Sequence, residues 1–127
     1  MREIKFRGRN GEKWLFGNLD IDYKTKQAAI SDDRWWRHPV RFETVGQYTG
    51  AKDINGKEIY EGDIVKFCDD RAHELVGVIK WCALARRWGV DISASVRDCV
   101  YHPFDARYAF EIIGNVYDNP ELLEAHA

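Results

Sequence analysis

Apolar and polar positions alternate along most of the chain with a period of two, the pattern of half-buried strands rather than of helices. Ile4 and Phe6 alternate with charge, and Asn10-Gly11 turns the chain. Trp14 to Leu19 returns, with Trp14 and Phe16 on one face and Leu15 on the other. Asp20 to Lys26 reads as a polar loop, and Ala28 to Ser31 as a short strand that Asp32-Asp33 breaks. Pro39 lacks a backbone donor and so places the stretch from Arg34 to Phe42 at a sheet edge or in a loop.

The run from Val45 to Phe67 organises the rest. Val45, Gln47 and Thr49 alternate with Gly46, Tyr48 and Gly50, as in a strand. Asn55-Gly56 predicts a two-residue type I′ hairpin with positive φ at both central positions, Ile54 facing Lys57 and the Asp53 side chain capping the turn. Gly62-Asp63 makes a corner before Ile64 to Phe67, and Leu75 to Trp81 is the natural partner strand. Leu75, Ile79 and Trp81 share one of its faces and Val76 and Val78 the other. Two apolar faces are expected where a small barrel packs inward on one side and meets a neighbouring lobe on the other. Trp88, Val90 and Ile92 alternate once more. From Ser93 to Arg107 the pattern fades, and a short helical turn or a flap is expected. Phe110, Ile112 and Val116 are expected together on the last strand. Asn119-Pro120-Glu121 then starts a helix, with Asn as cap and Pro at the first position, and Leu122 and Leu123 pack that turn on the barrel. The fold expected is mainly β: a small SH3-like β-barrel over 51–127, with a short C-terminal helical turn, preceded by an N-terminal β lobe over 1–50.

The segments Met1 to Gly8, Lys13 to Gly17, Glu43 to Phe67 and Phe110 to Leu123 lie in the order found in the YopX family, which the chain resembles over nearly its whole length. The resemblance implies a protein encoded by a bacteriophage or prophage and a mostly β fold with an SH3-like barrel. It implies no established activity and carries over no catalytic residue. The chain departs from the family pattern at Ala51, where a larger apolar residue is commoner, and in the stretches Asp20 to Phe42 and Asp69 to Arg107.

Composition narrows this further. Hydrophobic residues are 45% and aromatics 13% of the 127, including five tryptophans, enough bulky material for one limited core or two small ones and too much for a disordered chain. A net charge of −2 excludes a generally basic nucleic-acid binder and leaves only a local patch. Cys68, Cys82 and Cys99 are odd in number and lack the close spacing of a disulfide framework, and no apolar run follows Met1-Arg2-Glu3. The host cytoplasm is therefore the expected compartment. No stretch reaches the roughly 20 apolar residues needed to span a bilayer, and no membrane partner is expected. Exposed strand edges in so small a β protein favour self-association.

The most distinctive chemistry is Arg34-Trp35-Trp36-Arg37 with Arg41. Arginines meet phosphates and indoles stack on unpaired bases, which gives a nucleic-acid site for single-stranded DNA or RNA. The same residue types dominate protein–protein hot spots. The commoner role of arginine-flanked aromatics is plainer, and it is the one expected ahead of the nucleic-acid site: core or lobe-interface tryptophans around which arginine stems snorkel. Cys68, His73, Cys82, Cys99 and His102 are soft metal ligands, but only Cys99 and His102 form a close pair, so inert thiols and no metal or other cofactor are expected. Asp32-Asp33 and Asp69-Asp70, with Glu58, Glu61 and Asp63, are carboxylates of the kind that hold magnesium, yet turn chemistry accounts for them. No nucleophile elbow, phosphate loop or zinc-protease motif is present. The expected function is a non-enzymatic binding module, with nucleic-acid binding as the alternative and a metal-dependent enzyme behind both.

Overall fold

The computed structural model describes residues 3–93 and 101–124. The chain is mainly β, with antiparallel sheets, and divides into two compact units, Met1–Gly50 and Ala51–Ala127.

In the first unit β1 (Phe6–Asn10), β2 (Lys13–Asp22), β3 (Gln27–Ser31), β4 (Arg37–Val40) and β5 (Gly46–Lys52) lie in the order β4-β3-β2-β1-β5. β2 runs past the loop expected from Asp20, because Leu19 and Ile21 keep the alternation and pair opposite Ile30 and Ala28 of β3. Ala28, Ile30 and Val40 form the buried centre, with Phe6, Leu15, Leu19 and Ile21 packed around it. Trp14 turns to the other face, where the Arg7 and Arg9 guanidinium carbons lie 4.5 and 5.3 Å from its ring centre. The sheet curls at its β4 edge: the Arg41 N–H donates to the Arg9 carbonyl at 2.9 Å, and the Asn10 amide donates to the Pro39 carbonyl at 2.7 Å. Gly8 permits that approach, since a Cβ there would stand 2.7 Å from a Val40 methyl.

In the second unit β7 (Asp63–Cys68), β8 (Glu74–Cys82), β9 (Arg87–Asp91), β10 (Tyr101–Pro103) and β11 (Glu111–Asn115) form a sheet in the order β10-β9-β8-β7-β11. Among the described residues no ladder closes this sheet into a barrel. Part of the stretch expected as a helical turn or flap is strand β10; 94–100 lies outside the described residues. Val65, Phe67, Leu75, Ile79 and Val90 pack on one face. The opposite face, Ile64, Val76 and Val78, is covered by this unit's own C-terminal segment, Ile113, Val116, Leu122 and Leu123, where a neighbouring lobe was expected. The register slips between Ile112 and Gly114 in β11. This bulge puts Ile112 on one core and Ile113 and Val116 on the other, so Phe110, Ile112 and Val116, expected together on the last strand, serve two cores. The closing helix α1 (Glu121–Glu124) is one turn. Asn119 does not cap it with its side chain, whose oxygen accepts the Asn115 N–H at 3.3 Å; the Leu122 N–H bonds to the Asn119 carbonyl instead.

Between β5 and β6 (Glu58–Tyr60) the turn differs from the two-residue form expected. Asp53, not Ile54, faces Lys57, its N–H donating to the Lys57 carbonyl at 2.8 Å, and the Gly56 N–H returns to the Asp53 carbonyl at 3.0 Å. Only Gly56 has positive φ, 81°. The loop is thus three residues long, a type I turn followed by one left-handed residue, and Asn55 needs no unusual conformation. The Asp53 side chain does cap it: one carboxylate oxygen accepts the N–H groups of Asn55 and Lys57, both at 2.9 Å.

Candidate functional site

The same turn is built from Asp32, Asp33, Arg34, Trp35 and Trp36 at the tip of the β3–β4 hairpin. The Asp32 N–H donates to the Trp36 carbonyl at 3.1 Å and the Trp35 N–H to the Asp32 carbonyl at 3.0 Å. One Asp32 carboxylate oxygen accepts from Arg34 at 2.9 Å and Trp36 at 3.1 Å. Trp35 occupies the left-handed position with φ of 67°, where the equivalent turn has Gly56. The second Asp32 oxygen lies 3.3 Å from the His38 imidazole. Desolvation pushes the Asp32 carboxyl up, but the bonds from His38, Trp36 and Arg34 outweigh it and hold the group below its ordinary value. A charged carboxylate therefore clamps the loop at neutral pH.

The clamp presents the indoles outward. Trp35 is 81% and Trp36 67% exposed, so neither is a core residue of the kind that arginine stems snorkel around. Arg34 shares the exposed tip. Arg37, at the base, places its guanidinium 2.8 Å from Asp20 of β2. The pair spans β3 where that strand offers only the small Ala29, which lies opposite both Asp20 and Pro39. Arg37, Pro39 and Arg41 share one face by the period of two, with the two arginines roughly 13 Å apart along the strand. Below the tip this face becomes a groove of about 740 Å³, whose lining includes Arg37 and Arg41 on one side and Asp20 and Asp22 on the other, with Lys26 and Glu43. The structure thus gathers Arg34, Trp35 and Trp36 at the tip and Arg37 and Arg41 along the groove.

Asp20 as the counter-ion of Arg37 was not anticipated from the sequence, and Asp32, expected as a turn residue, was not connected there with the display of the indoles. A signal existed. Asp69-Asp70-Arg71-Ala72-His73 repeats the Asp-Asp-Arg start and makes the same turn, with bonds from Arg71 at 2.9 Å and His73 at 2.8 Å to an Asp69 oxygen and φ of 61° at Ala72. The His73 N–H foremost lowers the Asp69 carboxyl. Asp32 and Asp69 are therefore turn residues, as the Asp pairs suggested.

Cys68 and Cys82 are free thiols, the first exposed, and Cys99 lies outside the described residues. His102 sits among aromatic rings, 4.7 Å from Phe67 and 4.6 Å from Tyr108 between ring centres. Among the described residues no three His, Cys, Asp or Glu side chains converge as metal ligands, and no helix is long and apolar enough to cross a membrane.

The fold and the hairpin define a small mainly β protein that displays an arginine-flanked tryptophan pair on a clamped loop. The chain belongs to the YopX protein family, whose model matches residues 5–124. The crystal structure of protein EF1440 from Enterococcus faecalis is similar, with a TM-score of 0.54 and 20% sequence identity over 97% of this chain and 99% of that one; the likeness is one of fold. No curated protein matches the chain.

Proposed function

We propose that this protein is a non-enzymatic binding module, a phage or prophage accessory protein of the host cytoplasm, whose contact surface is the β3–β4 hairpin. The observation that carries this reading is the exposure of Trp35 and Trp36 on a loop held by four hydrogen bonds to Asp32 and Trp36. Large aromatics on a pre-ordered loop offer contact area with little entropy left to lose on binding, which is how hot spots work. A protein surface suits the groove better than a polyanion does, because Asp20, Asp22 and Glu43 stand beside Arg37 and Arg41, and Arg37 is already paired. The adjacency of Arg34 to two free indole faces supports the second reading, single-stranded DNA or RNA. For the second unit an SH3-like barrel is the proposed architectural class, supported by five short antiparallel strands, a positive-φ corner at Gly62 and the bulge in β11.

The test is fluorescence anisotropy of labelled single-stranded DNA, duplex DNA and RNA at low and moderate salt, beside pull-down from infected-cell extract, each with wild type and Trp35→Ala/Trp36→Ala. A protein captured by wild type alone, without nucleic-acid binding, supports the module. Salt-sensitive binding lost in the folded double variant moves the assignment to nucleic acid. Capture and binding unchanged by the double variant remove the hairpin from function.

A further inference from the structure

The β8–β9 hairpin carries a second, unrelated surface. Cys82 pairs with Arg87 across it, and the tip between them is Ala83-Leu84-Ala85-Arg86. Leu84 is 99% exposed, an aliphatic side chain with no cover at all. Directly behind it Trp81 and Trp88 face each other across the strands, their ring centres 5.2 Å apart and nearly perpendicular, with Trp81 48% exposed. Arg86 and Arg87 stand at the same level and are exposed. The strands below carry Glu74 and Asp91, and Lys80 is paired with Asp91 at 2.9 Å. The positive charge of this hairpin is therefore concentrated at its tip, where Arg86 and Arg87 stand with no acidic residue from Trp81 to Trp88, in a chain whose net charge is −2.

An aliphatic point thus stands ahead of one level that holds two cations and the half-exposed Trp81 indole. That arrangement matches an anionic bilayer read from the acyl chains outward: hydrocarbon, then the headgroup level, where phosphates and carboxylates lie and where indoles settle. Nucleic acid has no use for Leu84, and the leucine with two small alanines is too narrow to be the anchor of a protein hot spot. We propose that this hairpin docks on anionic lipid membrane, dipping Leu84 below the headgroups while Arg86 and Arg87 bind them. It is an interfacial contact and not a span, and it departs from the expectation that membranes play no part. It does not depend on the Trp35–Trp36 surface.

The experiment is co-sedimentation of the full chain with large vesicles of phosphatidylcholine alone or with one-third phosphatidylserine, at low and at 0.5 M salt, with tryptophan fluorescence as a second readout. Arg86→Gly suits the left-handed backbone at that position, φ 54°, and Arg87 and Leu84 are exposed, so Leu84→Asp and Arg86→Gly/Arg87→Gln fold normally. Wild type is expected to bind the anionic vesicles with a blue-shifted emission and to release at high salt. Each arginine removed should weaken binding about fivefold, and Leu84→Asp should abolish the blue shift. Trp35→Ala/Trp36→Ala should bind as wild type. No sedimentation, equal binding to neutral vesicles, or an unchanged Leu84→Asp overturns the proposal. So does binding of a single-stranded DNA probe that needs the arginines and not Leu84, which would make the arm a nucleic-acid contact.

Discussion

The Asp53 carboxylate accepts the backbone N–H of Ile112 at 3.0 Å across 59 residues of sequence. Its other oxygen caps its own turn, and the Ile54 N–H reaches the Phe110 carbonyl alongside at 3.0 Å, so one buried side chain joins the hairpin after β5 to the last strand. Asp53→Ala leaves three backbone donors unmatched and should cost about 3 kcal/mol, whereas Asp53→Asn keeps the turn bonds and should cost about 1–2 kcal/mol by losing Ile112. Urea unfolding of the two variants checks both values.

Acid should expose the same link. Desolvation raises the Asp53 carboxyl, but bonds from Ile112, Lys57 and Asn55 overcome it and hold the group below its ordinary 3.8. A depressed folded value means that the stabilisation is complete above the unfolded pKa and disappears as pH falls through the folded one. The urea midpoint of wild type should therefore fall as pH drops below about 4, and the fall should be shallower in Asp53→Asn. Parallel curves would show that other carboxylates carry the acid sensitivity.

Gly77 lies in β8 where a Cβ would stand 2.6 Å from a Val90 methyl and 2.7 Å from the Asp91 carbonyl oxygen. The backbone oxygen cannot step aside, so Gly77→Ala should destabilise by about 2–3 kcal/mol. At Gly11 nothing lies within 4 Å of a Cβ and only φ of 62° resists, so Gly11→Ala should cost about 1 kcal/mol. Thermal melts of the pair separate crowding from backbone strain.

The turn at Asp69 carries Ala72 in the left-handed position that Gly56 fills elsewhere. Ala72→Gly should stabilise by about 0.5–1 kcal/mol, the strain removed exceeding the entropy added to the unfolded chain. Calorimetry measures it, and a lower melting temperature would show that the loop gains nothing from glycine.

Trp35→Ala/Trp36→Ala should alter stability by no more than about 0.5 kcal/mol, because both indoles are exposed; a buried tryptophan would cost about 3–5 kcal/mol. Urea unfolding decides this before any binding assay is interpreted.

Strand identity was legible wherever one face is buried, because a period of two has only one way to meet a core. Leu75 and Ile79 lie on one core and Val76 and Val78 on the other, as their alternation indicates. What the pattern did not reveal depends on residues that alternate correctly and then slip. Val116 changes face because of one extra residue at Ile113, and nothing in Ile112-Ile113-Gly114 alone says which neighbour will be skipped. The Asn55-Gly56 pair pointed to a two-residue turn because its preference is strong, yet the Asp53 side chain, by satisfying two N–H groups at once, favours the longer loop. The candidate site was legible in residue type but not in exposure: Trp35-Trp36 between arginines has the same sequence whether buried or displayed, and Pro39 on the edge strand was the local sign that this hairpin lies at a margin of its sheet.

Three hairpins of this protein rest on one arrangement: an aspartate gripping the backbone two and four residues ahead, with glycine, alanine or tryptophan at the left-handed place. The foundation of each loop is thereby insulated from its cargo. Positions 33 to 36 can change character while the aspartate and the flanking strands keep the shape, so new contacts can be tried on an old frame without first re-solving the problem of folding. The β3–β4 tip is thereby a graft site for design, its anchor a single carboxylate.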